Sequence, residues 1–136
     1  EGLARWLGVR SGGPFVAGAT VPGLITGTEV DAGAAAVQDP YVGMPFEIVV
    51  DRVEPMRLFS FRWHPYSHEP GVDYSKELTT LVVFTLEERP EGVLLKVVES
   101  GFDRVPLERR AKAFTANDAG WAIQMTLIEK YLARQA

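Results

Sequence analysis

At 136 residues, 46% of them hydrophobic and 24% charged, the chain has the make-up of one folded domain and is too short for two ordinary ones. Its formal net charge of −4 opposes the positive field that nucleic-acid binding needs, and no run of about 18 apolar residues offers a membrane insertion. Cysteine is absent, which removes disulfides, thiolate catalysis and cysteine-bound zinc together; with no signal-peptide pattern either, the expected location is cytoplasmic.

Leu3, Trp6 and Leu7 stand at helical spacing and read as the end of a helix stopped by Gly8. Ser11 to Pro14 is a turn, and Ala19 to Thr26 is strand-like but interrupted by Pro22 and Gly23, the mark of an edge or bulged strand. Gly27 to Gly43 is small and polar, with alanines at 34, 35 and 36, and reads as a loop or hairpin connection. Phe46 to Glu54 and Arg57 to His64 form a hairpin around Pro55 and Met56. A long polar loop follows from Pro65 to Glu77. Leu78 to Glu88 and Val93 to Glu99 make a second hairpin around Arg89-Pro90-Glu91-Gly92. The last element is a long amphipathic helix, with Leu107, Phe114, Trp121, Met125, Ile128 and Leu132 on one face. Gly120 weakens it or permits close packing, and Asp118 would cap a second segment if it broke there. The order predicts an α+β domain over residues 1–136: antiparallel strands, then a C-terminal helix.

The pattern resembles the START-like (SRPBCC, Bet v 1-like, helix-grip) superfamily, in the branch related to the C-terminal domain of the activator of Hsp90 ATPase. The residues that carry the resemblance are Leu3-Ala4-Arg5-Trp6-Leu7, Pro55 to Trp63 (PMRLFSFRW), Leu81 to Glu87 (LVVFTLE), Glu99-Ser100-Gly101-Phe102 and Asn117-Asp118-Ala119-Gly120-Trp121. They run in order over nearly the whole chain. The resemblance implies a curved antiparallel sheet wrapped around the C-terminal helix, with a cavity between them. It also implies a strand and helix ahead of Ala4, on the order of 20–30 residues before Glu1, so that the N-terminal strand is missing from this chain.

Strand parity decides which residues face inward. Phe59, Phe61 and Trp63 fall on one face, with Ser60, Arg62 and His64 opposite; Val82, Phe84 and Leu86 form a second apolar set, and Val93, Leu95, Val97 and Glu99 a third. With Phe114, Trp121 and Met125 from the helix, these residues either fill a core or line a small-molecule site. Glu99 is the informative polar residue. On an apolar face its carboxylate needs partners, such as Arg104, Arg109 or Arg110, or else orients a ligand or serves as an acid/base group. Arg62 and Tyr74 are candidates for the mouth of the site. The basic cluster Arg104, Arg109, Arg110 and Lys112 is either a solvated face or a site for a partner or an anionic ligand.

The remaining motifs are thin. His64 and His68 are four apart, but Pro65 and Pro70 oppose the helix a metal site would need there. No nucleophile elbow supports a Ser-His-Asp triad, and no glycine-rich phosphate loop is present, so neither metal, catalytic residue nor cofactor is expected. The resemblance implies binding of a small hydrophobic molecule, lipid-like or polycyclic aromatic, by Phe61, Trp63, Phe84, Glu99, Phe114, Trp121 and Met125. The alternatives are an interaction module of the Hsp90-activator type, with a chaperone or a second copy as partner, and a cyclase- or hydrolase-like enzyme. A cavity of about 300 Å³ or more would favour a ligand.

Overall fold

The computed structural model describes residues 9–13, 15–65 and 77–135. The expected helix end at Glu1–Leu7 and most of the loop from Pro65 to Glu77, including His68 and Tyr74, lie outside the described residues. Six strands form one sheet in chain order: β1 (Val9–Ser11), β2 (Thr20–Ile25), β3 (Pro45–Glu54), β4 (Leu58–Trp63), β5 (Thr80–Arg89) and β6 (Gly92–Ser100). The helices are α1 (Ala32–Gln38) and α2 (Leu107–Gln135). Antiparallel strands followed by a long C-terminal helix are the α+β, helix-grip arrangement the sequence predicts.

The Cα packing divides into two compact units. One holds the described parts of Glu1–Pro14, Pro22–Phe46 and Asp118–Ala136; the other holds Phe15–Val21 and Glu47–Asn117. In the second unit, Val50, Phe61 and Val82 form a buried row across three strands, because the register pairs Val50 with Phe61 and Phe61 with Val82. Val21, Ile48, Val105 and Ala113 are buried with them. In the first unit, Gly23, Thr28, Val30 and Leu127 are the buried residues among those described.

Both predicted hairpins are present. The β3–β4 turn is closed by the Arg57 N–H donating to the Glu54 carbonyl at 3.0 Å, with Met56 at φ 62°. The β5–β6 turn pairs Arg89 with Gly92. A register shift between Val50 and Arg52 marks a bulge, and there the buried Ser60 hydroxyl donates to Asp51 Oδ2 at 2.9 Å.

Three expectations are corrected. Pro22 does not put β2 on an edge, since β2 lies between β1 and β3. Its carbonyl accepts the Gly12 N–H at 2.7 Å, while its nitrogen carries no hydrogen and asks for no partner. The stretch read as a loop from Gly27 to Gly43 contains α1 and a 3-10 turn at Asp39–Tyr41. Asp31 caps α1, its Oδ1 accepting the Ala34 N–H at 2.8 Å, and the alanine run supplies a strong helix former.

The third correction concerns the face of α2. The helix is unbroken through Gly120, so Asp118 caps nothing. Its shielded seam runs through Ala113, Asn117, Gly120, Gln124, Leu127 and Tyr131. Trp121, Met125 and Ile128 of the predicted stripe are half-buried beside it, and the rest of the stripe is not. Leu107, Phe114 and Leu132 are accordingly exposed. Hydropathy misplaces the seam because four of its members are small or polar.

Candidate functional site

The site is built on β4, β5 and β6, all in the second unit. Residues paired across an antiparallel ladder point to the same face. The register therefore sets Phe59, Phe84 and Val97 in one row, Phe61, Val82 and Glu99 in the next, and Trp63 with Thr80 in the third. The rings pack into a continuous array. Phe61 meets Trp63 edge-on at 5.4 Å between centroids and stacks on Phe84 at 6.2 Å; Phe59 lies 5.6 Å from Phe61, and Phe15 meets Phe59 edge-on at 5.3 Å.

Glu99 is half-buried at the end of this array, and among the described residues three donors hold it. Its Oε2 accepts from Trp63 Nε1 at 2.8 Å and from the Thr80 hydroxyl at 2.6 Å; its Oε1 accepts from Asn117 Nδ2 at 2.8 Å. Thr80 reaches it because it is the diagonal neighbour, two residues before Val82. Gly101, at φ 96°, turns the chain out of β6 directly after the site, where an added Cβ would lie 3.6 Å from Thr80 Cα. These three donors are neutral groups, and two of the arginines that follow in sequence have partners elsewhere. Arg109 pairs with Glu77, and Arg110 donates to the carbonyls of Asp103 and Val105.

The sequence-predicted residues separate into groups. Phe61, Trp63, Phe84 and Glu99 are brought together on one face. Phe114, on the first turns of α2, meets Phe102 edge-on at 5.3 Å and is 54% exposed. Trp121 and Met125 are half-buried on the later turns of α2, in the first unit. Arg62 lies on the other face of the sheet, paired with Val49 and Leu81, so it is not beside Glu99. Tyr74 is outside the described residues. His64 is engaged through Nε2 with the Glu77 carbonyl at 2.9 Å.

Sequence reasoning missed Thr80 and Asn117. Both left a signal. Thr80 shares the inward parity of Val82 and Phe84. Asn117 is a polar residue three positions after Phe114 and four before Trp121, inside the helix's apolar region. Further along the seam, Gln124 Oε1 is a buried acceptor with no donor among the described residues.

The first unit carries a depression of about 310 Å³ lined by Thr26, Gly27, Thr28, Glu29, Ala35, Asp39 and Val42. Its volume matches a small-molecule site, but none of the aromatic candidates lines it. Beside it, Asp31 both caps α1 and pairs with Lys130 of α2. The Lys130 ammonium, and after it the Ala34 N–H, hold the Asp31 carboxyl below its ordinary value. On the far strands, Lys96 and then Arg89 lower Glu87 in the same way. Among the described residues no helix is long and apolar enough to cross a membrane.

A family model described as Activator of Hsp90 ATPase homolog 1-like protein matches residues 3–133. No curated protein matches the chain. Among solved structures, protein MLL2253 from Mesorhizobium loti is 22% identical with a TM-score of 0.66, over 98% of this chain and 81% of that one. DynU16, a protein of the dynemicin biosynthetic locus, is 24% identical with a TM-score of 0.61, over 96% of this chain and 38% of that one. Protein Ms6760 from Mycobacterium smegmatis is 14% identical with a TM-score of 0.61, over 98% of this chain and 77% of that one. Likeness at these identities establishes the fold alone.

Proposed function

This chain belongs to the Activator of Hsp90 ATPase homolog 1-like family, and on that premise we propose that it binds a small hydrophobic molecule, lipid-like or polycyclic aromatic, against the aromatic face of β4, β5 and β6. The observation that carries this reading is a half-buried carboxylate, Glu99, fixed by three donors at the end of a continuous ring array. Val82 and Phe61 are closed off, whereas Trp63, Phe84 and Glu99 keep part of their surface. The core thus has an accessible margin that is apolar along its length and polar at one end, the usual make-up of a ligand site. Burying an aromatic body of 150–250 Å² there would yield about 4–6 kcal/mol before the costs of association.

Native mass spectrometry of the protein purified from its own host tests the reading, with Trp63→Ala and Trp121→Ala beside the wild type. A small molecule retained by the wild type and lost from folded Trp63→Ala supports it. A protein that carries nothing, and takes up nothing from a cell extract of lipids and aromatics, overturns it.

A second reading, an interaction module of the Hsp90-activator type, is favoured by one observation. Leu107 and Phe114 are 77% and 54% exposed, seven residues apart on α2, where an apolar stripe would suit a protein partner.

A further inference from the structure

We propose that the molecule taken by this face is an amine: a protonated ammonium group that meets Glu99, carried on an apolar, ring-sized body that lies on Trp63 and Phe84. This rests on the ligand-binding reading above and specifies its chemistry.

The argument is electrostatic and starts from the register. The inward positions of β4, β5 and β6 are Phe59, Phe61 and Trp63, then Thr80, Val82, Phe84, Leu86 and Glu88, then Val93, Leu95, Val97 and Glu99. Among these described residues the charged side chains are both acidic. Glu99 stands beside the rings, and Glu88 follows at the exposed far end of the face, opposite Val93. Aromatic faces add negative potential of their own, because the ring quadrupole is negative above and below its plane. A wall of rings and carboxylates attracts a cation and repels an anion, so a fatty acid or an aromatic carboxylate of the same shape is disfavoured.

The geometry sharpens this. The Trp63 indole both donates to the Glu99 carboxylate and packs edge-on against Phe61, so the charge and the ring array are tied into one rigid element. An anionic ligand finds the carboxylate pinned from two strands and from α2, and so unable to swing away.

The test is isothermal titration calorimetry of the full chain at neutral pH with three probes of one shape: 1-naphthylmethylamine, 1-naphthalenemethanol and 1-naphthoate. The wild type should bind the amine at least about tenfold more tightly than the carboxylate, with the alcohol between them, as a favourable against an unfavourable charge contact requires. Glu99→Gln, checked as folded by circular dichroism, should lose most of that preference, bringing amine and carboxylate within about threefold of each other. Carboxylate binding as tight as the amine, or a preference that survives Glu99→Gln, overturns the amine assignment while leaving ligand binding intact. Failure of all three probes to bind the folded wild type overturns the ligand-binding reading and the amine assignment with it.

Discussion

Replacing Glu99 by alanine should cost about 2–5 kcal/mol of folding stability, and replacing it by glutamine only about 1 kcal/mol. Alanine removes the acceptor for three donors at once. Thr80 is fully buried, so its hydroxyl loses its partner without gaining water and bears a full desolvation cost of about 1–3 kcal/mol. Trp63 and Asn117 are half-buried and recover part of their loss from solvent, about 0.5–1 kcal/mol each. Glutamine keeps the acceptor that matters: its carbonyl oxygen takes the place of Oε2 and still receives Trp63 Nε1 and the Thr80 hydroxyl. Its amide faces Asn117, which needs only to turn its side chain over to offer an oxygen in place of nitrogen. What remains is the loss of charge assistance. Urea unfolding, followed by far-ultraviolet circular dichroism and by tryptophan fluorescence, measures both variants. An alanine variant within about 0.5 kcal/mol of the wild type, or a glutamine variant as damaged as the alanine one, would refute the description of Glu99 as a three-donor node.

Backbone conformation gives two predictions of opposite sign. Met56 sits at φ 62° with its side chain 92% exposed, so Met56→Gly should stabilise the protein by about 0.5–1 kcal/mol in thermal unfolding. Gly101, at φ 96°, should lose about 1–2 kcal/mol as alanine from strain alone, since the new Cβ has room beside Thr80. Gln124→Met removes a buried acceptor that has no donor among the described residues and keeps the side-chain length, and should gain about 1 kcal/mol; a loss of that size would mean that the oxygen is satisfied. The Asp31–Lys130 pair makes stability depend on pH. The folded carboxyl lies below its ordinary value of 3.8, so the unfolded chain takes up the proton first and stability rises with pH through that window. The contribution is complete above about pH 5 and is lost as the pH falls through the lowered folded value. Asp31→Asn keeps the cap and deletes the pair, so its melting temperature should fall less steeply with acid than that of the wild type. Parallel curves would show that the pair contributes nothing.

The strands were legible in the sequence wherever both periodicity and turn chemistry spoke. The two hairpins from Phe46 to Glu99 carried alternation and unambiguous turns, and their register followed. Parity alone placed Phe61, Trp63, Phe84 and Glu99 on one face, because a ladder fixes faces with period two and leaves no freedom. Helix α1 was hidden because seven residues of alanine, glycine, valine and glutamine carry no amphipathic signal; only Asp31 and the alanine run marked it. The seam of α2 was misread for a related reason. Ala113 lies in it because it is small and Asn117 because it serves the sheet, and a reading that counts only large apolar residues misses both. Partners across elements were not legible at all. Glu99 was assigned arginine partners by proximity in sequence, whereas the register brings Thr80 and Trp63 to it and a turn of α2 brings Asn117.

A carboxylate held by three donors has two explanations, and they separate at one substitution. As a purely structural node it is worth only its hydrogen bonds, and an aromatic face closed by apolar residues would do as well, since a polar group in such a place stabilises only when fully satisfied. As a binding group its charge matters apart from its bonds. Glutamine preserves the geometry to within one flipped amide and removes the charge. Stability therefore reports the first role and the amine-to-carboxylate preference reports the second, in the same variant. The polar depression in the first unit shows why volume alone would have misled. At about 310 Å³ it is large enough for a ligand, but it carries none of the rings. The aromatic face pairs chemistry with accessibility, and Glu99→Gln asks whether the charge on that face is there for the fold or for what the fold binds.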